Sequence, residues 1–202
     1  DMNDLAGIIL SAGLSSRMGD FKPLISLDGR TMIGRVIDMM KNAGASPVVV
    51  VTGHRHEELE AALAAEGVET VFNPNYAHSH QFDSLLLALA RPWPAQTRLM
   101  ISPVDVPMVD DATVARLLEA DGDVVRPTYQ GHPGHPILLS AKLIPYLQQY
   151  DGRDGLRGAI AQSHCRITDV PVEDRGISLD NDTPADLVRL AQWTEEKGKR
   201  GK

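Results

Sequence analysis

Along the first two-thirds of the chain, apolar positions alternate between two periods. Residues 5–10 form an unbroken apolar run of the length of a strand buried on both faces. Met32, Ile33, Val36, Ile37, Met40 and Ala43 then recur at helical spacing, and Gly44 ends that helix. Residues 48–51, all valine, read as a second buried strand punctuated by Gly53. Leu59, Ala62 and Leu63 mark a helix over 57–65, followed by a strand over 68–72. A helix over 84–90, a strand over 98–102 and a helix over 113–120 continue the rhythm. Repeated βα units of this kind predict an α/β protein with a mostly parallel, twisted sheet and helices on both faces.

From Asp123 the rhythm changes. Residues 124–128 and 135–139 read as strands around a turn rich in Gly, His and Pro, a small β excursion. Helices over 143–150 and 155–162 come next, then short strands over 167–172 and 177–180. The last helix begins with Thr183 as N-cap and Pro184 in its first position. Residues 193–202 read as a charged, solvated tail. With no internal repeat and no composition break, one domain over 1–202 is expected.

Composition narrows the function. No apolar run approaches the roughly 18 residues a bilayer span needs, and no signal-peptide pattern is read at the start. Cys165 is the only cysteine, so there is no internal disulfide. A cytoplasmic location with no membrane partner is expected. The formal net charge of −7 argues against a nucleic-acid partner. An acidic chain that binds a polyanion must do so with local cations and a divalent metal.

Those cations stand in Leu10-Ser11-Ala12-Gly13-Leu14-Ser15-Ser16-Arg17-Met18-Gly19-Asp20-Phe21-Lys22-Pro23-Leu24, directly after the first strand. Small residues let the backbone approach an anion, and successive N–H groups in a turn form an anion-binding concavity. With Arg17 and Lys22 five apart, the segment reads as a nucleoside triphosphate cradle; an ordinary Gly/Ser connection is the bland alternative. Neither G-x-x-x-x-G-K-[ST] nor G-x-G-x-x-G is present.

The pattern Leu-x-Ala-Gly-x-Ser-Ser-Arg-Met-Gly-x-x-Lys-x-Leu resembles the opening of the molybdenum cofactor cytidylyltransferases. These sit in a wider group with the guanylyltransferase of the same pathway and the sugar-nucleotide pyrophosphorylases. The resemblance runs from Leu5 to about Ala191. It implies a three-layer, Rossmann-like nucleotidyltransferase fold, with residues 1–122 mainly holding nucleotide and 123–192 mainly holding acceptor. It implies transfer of CMP from CTP to the terminal phosphate of a molybdopterin-type cofactor, with pyrophosphate released, Mg²⁺ as cofactor and a molybdoenzyme as eventual recipient. Three other functions stay open: a GTP-dependent guanylyltransferase, a sugar-phosphate nucleotidyltransferase, and a noncatalytic nucleotide-binding module that delivers cofactor.

Site residues follow from the matched motifs. Leu10, Ala12, Gly13, Leu14, Ser15, Ser16, Arg17 and Lys22 are expected at the nucleotide, with Arg17, Lys22 and Asp105 carrying the catalysis. Asp105 lies just past a strand end, where open α/β sheets bind ligands, and its Asp-x-Pro setting resembles the family's metal ligand; capping is the bland role for such an acid. Asp180-Asn181-Asp182-Thr183-Pro184 resembles the closing motif. Asp180 is read as a second metal ligand, and Asp182 is open between ligand and cap. His132, Gly134, His135 and Pro136 resemble a Gly-His-Pro segment expected at the acceptor. Arg157 is open between an acceptor contact at a helix N-terminus and a surface ion pair. Asn73 and Ser84 resemble the nucleotide-side Asn-Pro…Ser-Leu segment, although His80-Gln81-Phe82 stands where Gly-Met is usual. His54 is open between a substrate contact and a loop role. His54-x-His56 and His78-x-His80 have the spacing of zinc ligands but imply no third ligand, so zinc is set aside.

Overall fold

The computed structural model describes residues 4–14, 21–178 and 184–201. β1 (Leu5–Ser11) is followed by a small hairpin, β2 (Ser26–Leu27) and β3 (Arg30–Thr31), and by α1 (Met32–Asn42). The hairpin was not foreseen, although Asp28-Gly29 is a strong two-residue turn signal; both residues take positive φ, 50° and 84°. The Thr31 hydroxyl caps α1 by accepting the Gly34 N–H at 3.0 Å. β4 (Val48–Thr52), α2 (His56–Leu63), β5 (Glu69–Phe72), α3 (Gln81–Leu89), β6 (Arg98–Pro103) and α4 (Asp111–Glu119) continue the alternation. Then come β7 (Val124–Tyr129), β8 (His132–Pro133), β9 (Ile137–Ser140), α5 (Ile144–Gln149), α6 (Gly155–Gln162), β10 (Ile167–Pro171) and α7 (Pro184–Arg200).

The main sheet has the order β10-β7-β9-β6-β1-β4-β5, and β8 pairs with the end of β7. β1 lies parallel to β4 and β6, and β10 parallel to β7; β9 runs antiparallel between β6 and β7. The strands expected over 124–128 and 135–139 are present as β7 and β9, paired antiparallel around the turn, and β9 lies within the main sheet. Its apolar run Ile137-Leu138-Leu139 is buried on both faces, which drives the strand into the sheet's interior.

Alternate strand residues serve two cores. Ile9, Val48, Val50, Met100, Val125 and Leu138 meet α1, α2 and α4 on one face. Ile8, Leu10, Val49, Val51, Leu99, Ile101, Val124 and Leu139 meet α3, α5 and α6 on the other. Each fully buried aliphatic side chain contributes about 1.5–3 kcal/mol, so the central strands are the most firmly placed part of the molecule.

One expectation near the end is corrected. Residues 175–177 form a single 3-10 turn, not a strand, because Asp174 holds them elsewhere. Its carboxylate accepts the N–H groups of Gly176 and Asp110 and the Thr113 hydroxyl, folding the segment onto the start of α4. Residues 193–200 are helical, continuing α7, with Glu195, Glu196, Lys199 and Arg200 exposed and one face turned inward. Leu190 and Trp193 pack with Leu27, Met32 and Met108, and the Lys197 ammonium donates to the Met108 carbonyl at 2.9 Å. Thr183, expected as the cap of α7, lies outside the described residues.

At the end of β4, Gly53 sits where the chain crosses the end of β1. A Cβ there would lie 2.5 Å from the Ala12 carbonyl oxygen and 2.6 Å from Tyr76 Cβ. Because one neighbour is backbone, Gly53→Ala should cost about 1–3 kcal/mol of stability. Urea unfolding of the variant tests this, and an unchanged midpoint would contradict the close approach.

Candidate active site

The register of β1 on β6 pairs Leu10 with Pro103, so both strands end at one level of the sheet. The chain leaving β1 re-enters the described structure at Phe21 and makes a 3-10 turn over Lys22–Leu24, with Pro23 fixing its φ. The chain leaving β6 turns at once through Val104 and Asp105. These two exits place the Lys22 ammonium 3.9 Å from the Asp105 carboxylate, with side chains 12% and 20% exposed. A cation and an acid from distant parts of the chain thus share one half-buried location at the carboxyl ends of the central strands.

At the same strand ends, with Leu10 and Pro103 but neither Lys22 nor Asp105 in its lining, opens a cavity of about 820 Å³. Its floor is Leu10, Leu85, Ile101, Pro103, Ile137 and Ile160. Its walls are the start of α3, the start of α6 and the hairpin segment of His132, Pro133, Gly134 and His135. Backbone contact fixes that last segment. Gly134 N–H donates to Pro127 O at 2.9 Å and His135 N–H to Ile177 O at 2.8 Å. A Cβ on Gly134 would lie 2.4 Å from that same Ile177 oxygen, so only glycine fits. At the opposite wall α6 starts from Asp154, left-handed at φ 58°, whose side chain does not cap the helix, and the exposed Arg157 follows on its first turn. Two helix N-termini and a mainly apolar floor suit a ligand with a flat body and polar edges.

The sequence-derived residues divide accordingly. Leu10, His132, Gly134, His135 and Arg157 line the cavity. Pro136 is buried behind it. Arg157 has no ion pair among the described residues. Ala12 is buried and its carbonyl accepts the His54 N–H at 3.2 Å, while Gly13 and Leu14 are exposed beyond it. Asn73 and Ser84 are buried and bonded to each other at 3.0 Å; Asn73 also donates to Ser79 Oγ and accepts the Asn75 N–H. Their polar atoms organise the loop before α3 and do not line the cavity. His54 packs between the rings of Phe21 and Tyr76 at centroid distances of 6.1 and 6.0 Å, and His56 stacks on Phe72 at 3.8 Å. Ser15, Ser16, Arg17, Asp180 and Asp182 lie outside the described residues.

Two contributors were not legible in the sequence. Phe82 lines the cavity and packs edge-on against Tyr150 at 6.0 Å, joining α3 to the segment before α6. It sits where the resembling motif has Gly-Met, and α3 begins at Gln81, three residues earlier than expected. Arg126 also lines the cavity, and Asp169 on β10 holds it. A lone arginine between Val125 and Pro127, inside an apolar strand, was the available signal.

Residues 7–167 match the family model described as the MobA-like NTP transferase domain. The chain is a member of that family. It is 31% identical over 202 residues to the molybdenum cofactor cytidylyltransferase of Escherichia coli K12, covering 96% of this chain and all of that protein. A solved nucleotidyl transferase from Methanothermobacter thermautotroptrophicus superposes with a TM-score of 0.82 over 96% of this chain and 99% of its own, at 24% identity. That likeness shows the fold. Rv0371c of Mycobacterium tuberculosis H37Rv, solved in complex with manganese, gives a TM-score of 0.78 at 25% identity, over 93% of this chain and 98% of its own. The nucleotidyltransferase architecture of this MobA-like chain, a mostly parallel sheet with helices on both faces, therefore agrees with the expectation.

His135 gives the MobA-like site a titratable wall. Its Nδ1 is buried without a hydrogen-bond partner among the described residues, and burial pushes its pKa below the ordinary 6.5. The unfolded chain therefore takes up this proton first on acidification. Stability associated with His135 is complete above pH 6.5 and declines as pH falls from there to the depressed value. Urea unfolding at pH 7.5 and pH 5.5 should show a smaller acid loss in His135→Gln than in the parent; equal losses would contradict a neutral, buried imidazole.

Proposed function

We propose that this chain is a cytidylyltransferase that moves CMP from CTP to the terminal phosphate of a molybdopterin-type acceptor and releases pyrophosphate. The observation that carries the reading is the meeting of Lys22 and Asp105, 3.9 Å apart, past the ends of β1 and β6, two strands whose Leu10 and Pro103 line a cavity large enough for a second substrate. The near full-length likeness to the cytidylyltransferase of Escherichia coli supports the choice of CTP and acceptor.

An oxygen of the acceptor's phosphate forms a bond to the α-phosphorus, and the bond from that phosphorus to the β-bridging oxygen breaks. The electron pair leaves with pyrophosphate. A phosphate monoester is already ionised near neutral pH, so no general base is required. Positioning and charge neutralisation supply the rate. Lys22 offsets the charge that grows on the α-phosphoryl oxygens, while Arg17 and the backbone of 14–16 hold the β- and γ-phosphates. The donor chemistry fits a hard divalent cation such as Mg²⁺, which takes one or two carboxylates and completes its shell with phosphate oxygens and water. Asp105, with Asp180 or Asp182, would hold it, and when bound it would supply further neutralisation of the triphosphate. In this scheme residues 1–122 serve the nucleotide and 123–192 the acceptor.

Lys22→Ala should lower kcat by on the order of 10²-fold or more while the fold persists, the usual cost of deleting one preorganised charge contact. Normal turnover in that variant would remove Lys22 from the cradle. Asp105→Asn should abolish metal-dependent turnover, and unchanged dependence on Mg²⁺ would take Asp105 out of the metal site.

Nucleotide choice is tested by calorimetric titration of CTP, GTP and ATP in the presence of Mg²⁺. CTP should bind at least about tenfold more tightly than either purine nucleotide. A preference for GTP would make the chain a guanylyltransferase. Tight CTP binding without pyrophosphate release would favour a delivery module.

A further inference from the structure

Arg126 enters the cavity from the sheet itself. Val124, two residues earlier, packs in the core shared with α5 and α6, so Arg126 projects on that same face. One step beyond the Val125–Leu138 pair, it lies level with Ile137, which pairs with Ile101 on β6. From there to Asp105 the chain must cross two strand spacings and run past the end of β6, on the order of 10–15 Å. Arg126 therefore stands at the end of the cavity remote from the Lys22–Asp105 pair.

Its guanidinium is held in one orientation. Nε donates to Asp169 Oδ1 at 2.9 Å and one terminal nitrogen to Oδ2 at 3.2 Å, a bidentate fork across neighbouring strands. The other terminal nitrogen has no hydrogen-bond partner among the described residues, and the side chain is only 24% exposed. Asp169 cancels the charge but leaves that edge's N–H groups to give. A neutralised, oriented arginine is poorly suited to capture a phosphate and well suited to a neutral acceptor edge. Arginine meets an adjacent carbonyl oxygen and ring nitrogen in this way when it reads guanine. The surroundings agree: Phe82, Leu85, Ile137 and Ile160 provide apolar surface for a planar ring, and His135 brings a buried ring nitrogen without a partner.

We propose that Arg126, aligned by Asp169, binds the carbonyl and ring-nitrogen edge of the acceptor's fused heterocycle, fixing the acceptor with its ring deep in the cavity and its phosphate at Lys22. This rests on the reading of the acceptor as a molybdopterin-type molecule and adds its orientation and a specificity-determining residue.

The probe is 6-hydroxymethylpterin, which carries the ring and no phosphate, titrated by fluorescence against the full chain. Arg126→Ala and Arg126→Lys should each weaken its binding about tenfold, because lysine cannot reproduce the planar fork. Asp169→Asn should weaken it several-fold. CTP affinity, measured on the same samples, should be unchanged in all three, which also reports an intact fold. In turnover with molybdopterin, Arg126→Ala should raise KM for the acceptor and leave kcat within twofold. Parent-like pterin binding in both Arg126 variants, or a fall in kcat at constant KM, would overturn the proposal and leave the transferase reading standing. So would a parent protein that turns over molybdopterin yet does not bind the bare ring. A parent protein that binds CTP but neither binds the ring nor uses molybdopterin would overturn the acceptor reading and the proposal with it.

Discussion

The site depends on one piece of backbone geometry, the in-register parallel pairing of β1 with β6. Because Leu10 stands opposite Pro103, the chain leaves both strands at the same height, and Lys22 and Asp105 meet above them. A slip of one residue would carry Ile8, Ile9 and Leu10 to the wrong faces of the sheet. Two packed cores, one on each face, oppose that slip. Leu10, Ile101 and Pro103 also form the cavity floor, so the residues that hold the register are those on which a substrate would rest. In the proposed reaction, stability and substrate placement are set by the same side chains.

Charge is distributed sparingly for a chain of net charge −7. Lys22 and Asp105 lie 3.9 Å apart, longer than the roughly 2.7–2.9 Å of a direct charge-assisted hydrogen bond. Arg126 and Asp169, at 2.9 Å, are fully closed on one another. In the proposed scheme the longer pair handles phosphate charge and the closed pair meets a neutral edge. Arg157 adds a cation on the first turn of α6, in the cavity wall.

The elements that the sequence made legible are those with a two-sided apolar signal. Residues 5–10, 48–51 and 98–102 read as strands because both faces are buried, and α1 and α2 as helices because one face repeats at helical spacing. The strand read over 177–180 fails at Ile177, which is buried by a turn that Asp174 ties to α4, a contact between positions remote in sequence; residues 179 and 180 lie outside the described residues. The helical end was not legible because its anchors are remote in sequence: Trp193 packs with Leu27, Met32 and Met108, and the Lys197 ammonium donates to the Met108 carbonyl. At the site, Lys22, Asp105, His132 and His135 were legible through motif resemblance. Arg126 was not, because its value comes from Asp169, its partner on another strand. Asn73 and Ser84 were legible as special positions, but their hydrogen bond to each other could not be read from spacing.

The antiparallel β9 explains how the second half of the chain reaches the same site. In a wholly parallel sheet, the segment entering a strand lies at its amino end, on the side away from the exits of β1 and β6. Reversing β9 puts its entry, residues 132–136, at the carboxyl ends of β6 and β7. The β7–β8 hairpin makes that reversal in two residues, Gln130 and Gly131, both at positive φ. His132, Gly134 and His135 are thereby delivered beside Pro103 rather than to the far edge of the molecule. One reversed strand thus brings residues from the second half of the chain to the strand ends where β1 and β6 exit, the arrangement that the proposed two-substrate reaction requires.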